Sequence, residues 1–183
     1  MALEKTPLCN FGEKPKDFNI KGIDENKYTL KDIVGANGTL IMFICNHCPY
    51  VKAISKEIAK TAIELKKFKI NVAAIMSNDT LNYPDDSFDN MKIFAKKNNF
   101  MFPYLIDESQ EVAKNYGAVC TPDFFGYNFK NELQYRGRLG PLKDLKLIKN
   151  SKNELLEAMI EISKTGFGPK EQYPSMGCNI KWK

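Results

Sequence analysis

The chain has 183 residues, 43% of them apolar and 27% charged, with a net charge of +5. That length holds one domain with a full core, and the composition excludes wholesale disorder and a miniature fold that needs staples. No apolar run approaches ~18 residues, so no membrane span is expected; lysines mixed with acids, and no base-reading motif, argue against a nucleic-acid partner.

Residues 1–38 read as an N-terminal extension in which Phe18 and Ile20 face Tyr28 and Leu30 across a short hairpin, followed by a turn at residues 35–38. Residues 39–44 are a continuous apolar run of strand length, the pattern of a central strand buried on both faces. After Cys45-Asn46-His47-Cys48-Pro49, the residues Val51, Ile54, Ile58, Ala62, Leu65 and Phe68 fall three and four apart and mark one face of a helix. Residues 70–76 form a second buried strand and 77–87 a polar loop. Phe88, Met91, Phe94 and Ala95 mark another helix, and residues 102–106 a short strand. Residues 112–116 make a short helix that Gly117 caps in the left-handed region. Thr121-Pro122 opens a strand over 124–129, which turns at Asn131 and returns antiparallel over 133–138. Residues 139–150 read as a loop. Ser151-Lys152-Asn153-Glu154 has the form of a capping box and starts the last helix, through Leu155, Met159 and Ile162. From residue 166 the chain is a Gly- and Pro-punctuated tail ending at Trp182 and Lys183. The order, a hairpin and then β-α-β-α-β-β-α, predicts a single α/β domain over 1–183 with a mixed sheet and helices on both faces.

There are five cysteines, at positions 9, 45, 48, 120 and 178, and one histidine, His47. An odd number of cysteines behind a start without an apolar leader points to reduced thiols in the cytoplasm. A single histidine excludes HExxH chemistry and three-histidine zinc sites. Phosphate-cradling glycine loops are absent, and neither a cofactor nor a resident metal is expected.

Cys45 and Cys48 follow a buried strand at the start of a helix. Proline belongs at the first helical position, where its missing N–H is not needed, so Pro49 makes Cys48 the N-cap residue. There its sulfur meets unpaired amides and the positive end of the helix dipole, which favour the thiolate. A helix starting at Cys45 would put the proline four residues in, where its ring clashes. Cys48 is therefore the expected nucleophile and Cys45 the resolving thiol; the plainer reading is two small buried side chains. His47, if protonated, would lower the Cys48 pKa further, and the plainer reading is an unpartnered loop histidine. Thr121-Pro122 is open between a cis bond and a trans proline at an edge strand. Cys120 is either a third thiol near the pair or a buried small hydrophobe. Cys9 and Cys178 read as structural or incidental, although a tail carrying Trp182 is expected to dock.

Taken together, Gly12-Glu-Lys-Pro15, Asp17-Phe18, the strand leading into Phe43-Ile-Cys-Asn-His-Cys48-Pro49-Tyr50, Phe102-Pro-Tyr-Leu-Ile-Asp-Glu108, Tyr116-Gly-Ala-Val-Cys-Thr-Pro-Asp-Phe-Phe125 and Tyr135-Arg-Gly-Arg138 resemble the thioredoxin-like superfamily, most closely its peroxiredoxin-like, AhpC/TSA-related redoxins. The resemblance implies a thioredoxin-like fold and a thiol–disulfide oxidoreductase whose partners are protein or small-molecule disulfides and thiols. It puts the attacking cysteine five residues after Phe43, at Cys48. The usual thioredoxin partner would fall at Val51, so the pair here is shifted, with Cys45 upstream. It also maps the cis-proline loop, which in relatives pairs with substrate backbone, onto Thr121 and Pro122. Two departures concern the alternative of a thiol peroxidase. The threonine and proline of the peroxidase motif fall at Cys45 and Ile41, and the arginine that completes that site has only Arg136 and Arg138 as candidates. A further alternative is soft-metal binding by Cys45, His47, Cys48 and Cys120. Removing Cys45 is expected to trap the mixed disulfide on Cys48.

Overall fold

In the computed structural model, which describes residues 2–183, a short strand β1 (Leu3–Lys5) precedes a hairpin of β2 (Asn19–Gly22) and β3 (Lys27–Thr29). One helical turn, α1 (Leu30–Ile33), leads to strand β4 (Gly38–Phe43), the long helix α2 (Pro49–Lys67) and strand β5 (Ile70–Met76). A 3-10 turn (Pro84–Asp86), α3 (Phe88–Asn98), β6 (Tyr104–Ile106) and α4 (Glu111–Tyr116) follow. Then come β7 (Cys120–Thr121), β8 (Asp123–Asn128), β9 (Leu133–Tyr135) and a minor hairpin of β10 (Leu142–Lys143) and β11 (Lys146–Leu147). Helix α5 (Glu154–Thr165) and strand β12 (Met176–Asn179) complete the chain.

Seven strands form one mixed sheet in the order β3-β2-β6-β5-β4-β8-β9, with β4 parallel to β5 and β5 parallel to β6. Successive side chains of a strand point to opposite faces, and the apolar run of β4 divides accordingly. Leu40 and Met42 join a core with Val51, Ile54, Met91 and Leu155 of α2, α3 and α5. Ile41 and Phe43 join a second core with Ile33, Val112 and Ala113 of α1 and α4. A strand with a core on each side is apolar on both faces, and the one polar side chain of β4, the buried Thr39, sits at its start, where its hydroxyl accepts the Gly35 amide at 3.1 Å.

Most predicted elements lie within a residue or two of their expected places, and the hairpin pairs Ile20 with Tyr28 as anticipated. Four features differ. Leu30 begins α1 instead of pairing in the hairpin, because the Asp32 carboxylate accepts the Thr29 amide at 2.7 Å and turns the strand into a helix start. Residues 139–150 contain the β10–β11 hairpin, closed by Asp144 and Leu145 with φ of 50° and 56°. The last helix is capped by Asn153, whose Oδ1 accepts the Leu156 amide at 2.9 Å; Ser151 lies outside it, and the Glu154 carboxylate is drawn to Arg138. Lastly, the tail contains a strand. β12 runs between β1 and β7 in a separate three-stranded sheet, with Cys178 opposite Thr121 and Asn179 opposite Cys120. Its docking is made by Ile180, 1% exposed, while Trp182 stays 42% exposed.

Candidate active site

β4 ends at Phe43, and five residues later, at Cys48, the chain turns into α2. Cys48 is the N-cap residue, with extended backbone (φ −61°, ψ 123°), and Pro49 stands at the first helical position. The Cys48 side chain lies in one buried cluster with Cys45, with Val51 in the first turn of α2, and with Cys178 of the tail strand. The Thr121 carbonyl, 3.1 Å from Sγ, favours the protonated form. The neighbours Cys45, Val51 and Cys178 nevertheless favour the thiolate. With the Cys45 thiol contributing most, and against the effect of burial, they bring the Cys48 pKa down to about 5. Cys48 is fully covered, with 0% exposure.

The partner thiol is pushed the other way. Burial, the hydrogen bond to Cys48 and the nearby Asp86 charge hold Cys45 well above the ordinary thiol range. Its Sγ also lies 3.3 Å from the Thr121 hydroxyl. The two sulfurs are thus biased in opposite directions, one toward thiolate and the other toward thiol, an asymmetry suited to thiol chemistry.

His47 packs beside the pair but turns its ring to Asp86. Its Nδ1 is 2.6 Å from Asp86 Oδ2 and 3.9 Å from Cys45 Sγ, and the ring stacks on Tyr83. The hydrogen bond to Asp86 raises the His47 pKa, against partial burial. Asp86 is buried, which works against ionisation, but His47 and Asn78 hold its carboxyl below the usual range. Its oxygens also accept the backbone amides of Asn46 at 2.7 Å and His47 at 3.2 Å. Polar atoms of Cys45, His47 and Asp86 lie within 4.8 Å of one another, but the carboxylate already holds four donors and has little left to offer a cation. Asp86 was invisible in the sequence. It sits in a polar loop of ordinary composition, and only folding brings it under His47.

Thr121 and Pro122, joined by a cis peptide bond, face the sulfurs from the other side. Cys120 is buried next to them, yet its Sγ is directed at the Pro122 carbonyl, 3.6 Å away, and burial raises its pKa. Cys178, opposite Thr121 on β12, packs into the same buried cluster as Cys45 and Cys48, and the one sequence signal for it was a cysteine in a tail expected to dock. A cavity of about 320 Å³ opens beside Pro122, between Tyr50 and Ile54 of α2 and residues 173–176 of the tail. Both arginines are engaged away from the Cys45–Cys48 pair. Arg136 binds Asp123 and the Gly117 carbonyl, and Arg138 binds Glu154.

Residues 11–139 match the AhpC/TSA family. An uncharacterised conserved protein from Geobacillus kaustophilus is 38% identical over 100% of this chain and 97% of its own, with a TM-score of 0.93. A hypothetical protein from Sinorhizobium meliloti is 34% identical over 98% of both chains, with a TM-score of 0.90. A secreted disulfide oxidoreductase of Mycobacterium tuberculosis, 14% identical, shares the fold over 69% of this chain and 87% of its own, with a TM-score of 0.56. No curated protein matches. Among the described residues, no helix is long and apolar enough to cross a membrane. Family match, sheet order and strand–cysteine–helix junction agree: the chain belongs to the AhpC/TSA family, as a redoxin of the thioredoxin-like superfamily.

Proposed function

We propose that the protein is a thiol–disulfide oxidoreductase of the cytoplasm, with Cys48 as nucleophile and Cys45 as resolving thiol. The Cys48 thiolate attacks a substrate disulfide, one substrate sulfur leaves as a thiol, and a mixed disulfide forms. Cys45 then attacks the Cys48 sulfur, the second substrate thiol leaves, and a Cys45–Cys48 bond remains. The observation that carries this reading is a cysteine at a helix N-cap with a second buried thiol in the same cluster, Cys48 lowered and Cys45 raised in pKa. Thr121 and Pro122 border the pair as the substrate-positioning edge, and His47 tunes it through its charge. Cys48 is covered and the tail strand lies on the Thr121 loop beside it, so attack on a substrate requires the site to open. The test is turnover of a small disulfide, hydroxyethyl disulfide, with dithiothreitol as reductant. Wild-type protein is expected to exceed the uncatalysed rate and Cys48→Ser to fall to background; a Cys48→Ser rate equal to wild type overturns the reading.

The family match over residues 11–139 favours a second reading, a thiol peroxidase in which Cys48 becomes a sulfenic acid. It ranks second because Cys45 stands where the peroxide-orienting threonine is expected and both arginines are engaged elsewhere. Stopped-flow consumption of hydrogen peroxide decides between the two, and a rate no better than free cysteine removes the peroxidase.

A further inference from the structure

The edge that Thr121 and Pro122 would offer to a substrate is already covered by the chain's own tail. β12 pairs antiparallel with β7 and sets Cys178 directly opposite Thr121. The Ser175 hydroxyl donates to the Pro122 carbonyl at 2.7 Å, and the Thr6 amide donates to the Ser175 carbonyl at 2.9 Å. Gly177 allows the close approach: a Cβ there would lie 2.0 Å from the Thr121 oxygen and 2.6 Å from its carbonyl carbon. The strand thus lies on the loop as an extended peptide would, opposite the same Thr121 whose carbonyl is 3.1 Å from the Cys48 sulfur, and it packs Cys178 into one buried cluster with Cys45 and Cys48. Cys178 is 4% exposed and makes no disulfide. Its pKa is pushed up to about 12, by burial first and then by its hydrogen bond to Cys48 and the Cys48 charge.

We propose that Cys178 is a third redox thiol, held by the tail strand in the place of a substrate cysteine, and that it resolves disulfides on Cys48 in competition with Cys45. This rests on Cys48 being the nucleophile. In the first step the Cys48 thiolate attacks a disulfide R–S–S–R′, forms Cys48–S–S–R and releases R′S⁻, which takes a proton from water. In the second, Cys178 gives up its proton and its sulfur attacks that of Cys48. The Cys48–SR bond breaks, RSH leaves, and a Cys48–Cys178 disulfide forms. The two thiols together supply the two electrons that reduce the substrate. Once Cys48 carries R, its negative charge is gone, and burial alone still opposes ionisation of Cys178. Cys45 can then attack Cys48 in turn, freeing Cys178 and leaving the Cys45–Cys48 bond.

The test uses the full-length reduced protein and oxidised glutathione, with acid quenching, alkylation of remaining thiols and peptide mass spectrometry. In Cys45→Ser, the glutathione adduct on Cys48 is expected to be short-lived and to give way to a Cys48–Cys178 disulfide. In the double variant Cys45→Ser/Cys178→Ser, the adduct is expected to persist at least about tenfold longer, since a neighbouring thiol in contact has a high effective concentration. Equal lifetimes, with the adduct formed in both, overturn the role of Cys178 and leave the proposed function standing. No adduct on Cys48 in either variant overturns both. Adding Gly177→Ala to Cys45→Ser, which forces the strand off the loop, is expected to lengthen the adduct lifetime towards that of the double variant; no lengthening counts against strand-held delivery.

Discussion

At the residue scale, two like side chains three positions apart are biased in opposite directions, Cys48 toward the thiolate by the Cys45 thiol at a helix start, Cys45 toward the thiol by burial, Cys48 and the Asp86 charge. The Cys48 alkylation rate with iodoacetamide should therefore rise with pH through a midpoint near 5, well below the ordinary thiol value. In Cys45→Ala, which removes the foremost donor, the midpoint should move up by roughly one to two pH units. A hydrogen bond to a charged group contributes ~1.5–3 kcal/mol, and each unit is ~1.4 kcal/mol. An unshifted midpoint would show that the helix amides suffice alone. The sign for stability follows. A lowered folded-state pKa gives a contribution that is full above the unfolded thiol's value and is lost as pH falls through the folded value. His47 works in the opposite sense: its raised pKa contributes below the ordinary histidine value and is lost as pH rises through the folded one. Since the Cys48 charge also raises His47, the NMR titration midpoint of this single histidine should drop when the Cys45–Cys48 disulfide forms, while Asp86 keeps it elevated. A midpoint unchanged by oxidation would mean that the ring does not feel the thiolate.

At the element scale, the site is the meeting of a helix start with a tail strand. Helix α2 needs Pro49 at its first position and an apolar face running from Val51 to Leu65, and both are written locally. Strand β12 depends instead on what it touches, above all the loop that Gly177 presses against. Replacing Gly177 with alanine forces an overpacked contact, a cost of ~1–3 kcal/mol. It should ease the opening over Cys48 by a similar amount, so alkylation of Cys48 at fixed pH is expected to quicken about tenfold. An unchanged rate would mean that reagent reaches the sulfur by a path not covered by the tail.

At the scale of the whole molecule, the central sheet separates two cores, and one buried ion pair ties the loop beside the thiols to the far edge. Arg136 bonds Asp123, directly after Pro122, at 2.9 Å, caps the Gly117 carbonyl and lies 4.4 Å from the centre of the Phe125 ring. Removing one partner strands a buried charge, so Arg136→Ala should cost about 3–5 kcal/mol in urea denaturation. Arg138, paired with Glu154 nearer the surface, should cost about 1 kcal/mol or less on the same change. Equal losses would contradict the placement of the first arginine as a structural brace.

The sequence by itself determined the β4–α2–β5 centre, the proline that makes Cys48 an N-cap, the placing of Cys45 just ahead of it and the cap at Gly117. Each depends on neighbours within a few positions, through periodicity, capping or proline sterics, so the pattern can be read along the chain. Only the tertiary structure decided which thiol gives Cys48 its strongest donor, that His47 belongs to Asp86 thirty-nine positions away, and that Cys178 instead of Cys120 completes the cluster. Those pairings join segments far apart in sequence, where nothing in local composition records the partner. Met176–Asn179, short and interrupted by glycine, acquires its strand form only from the two edges it lies between. The same reason explains the misplaced cap of the last helix: Asn153 takes the Leu156 amide while Arg138, folded back from β9, claims the Glu154 carboxylate that a local capping box would have used.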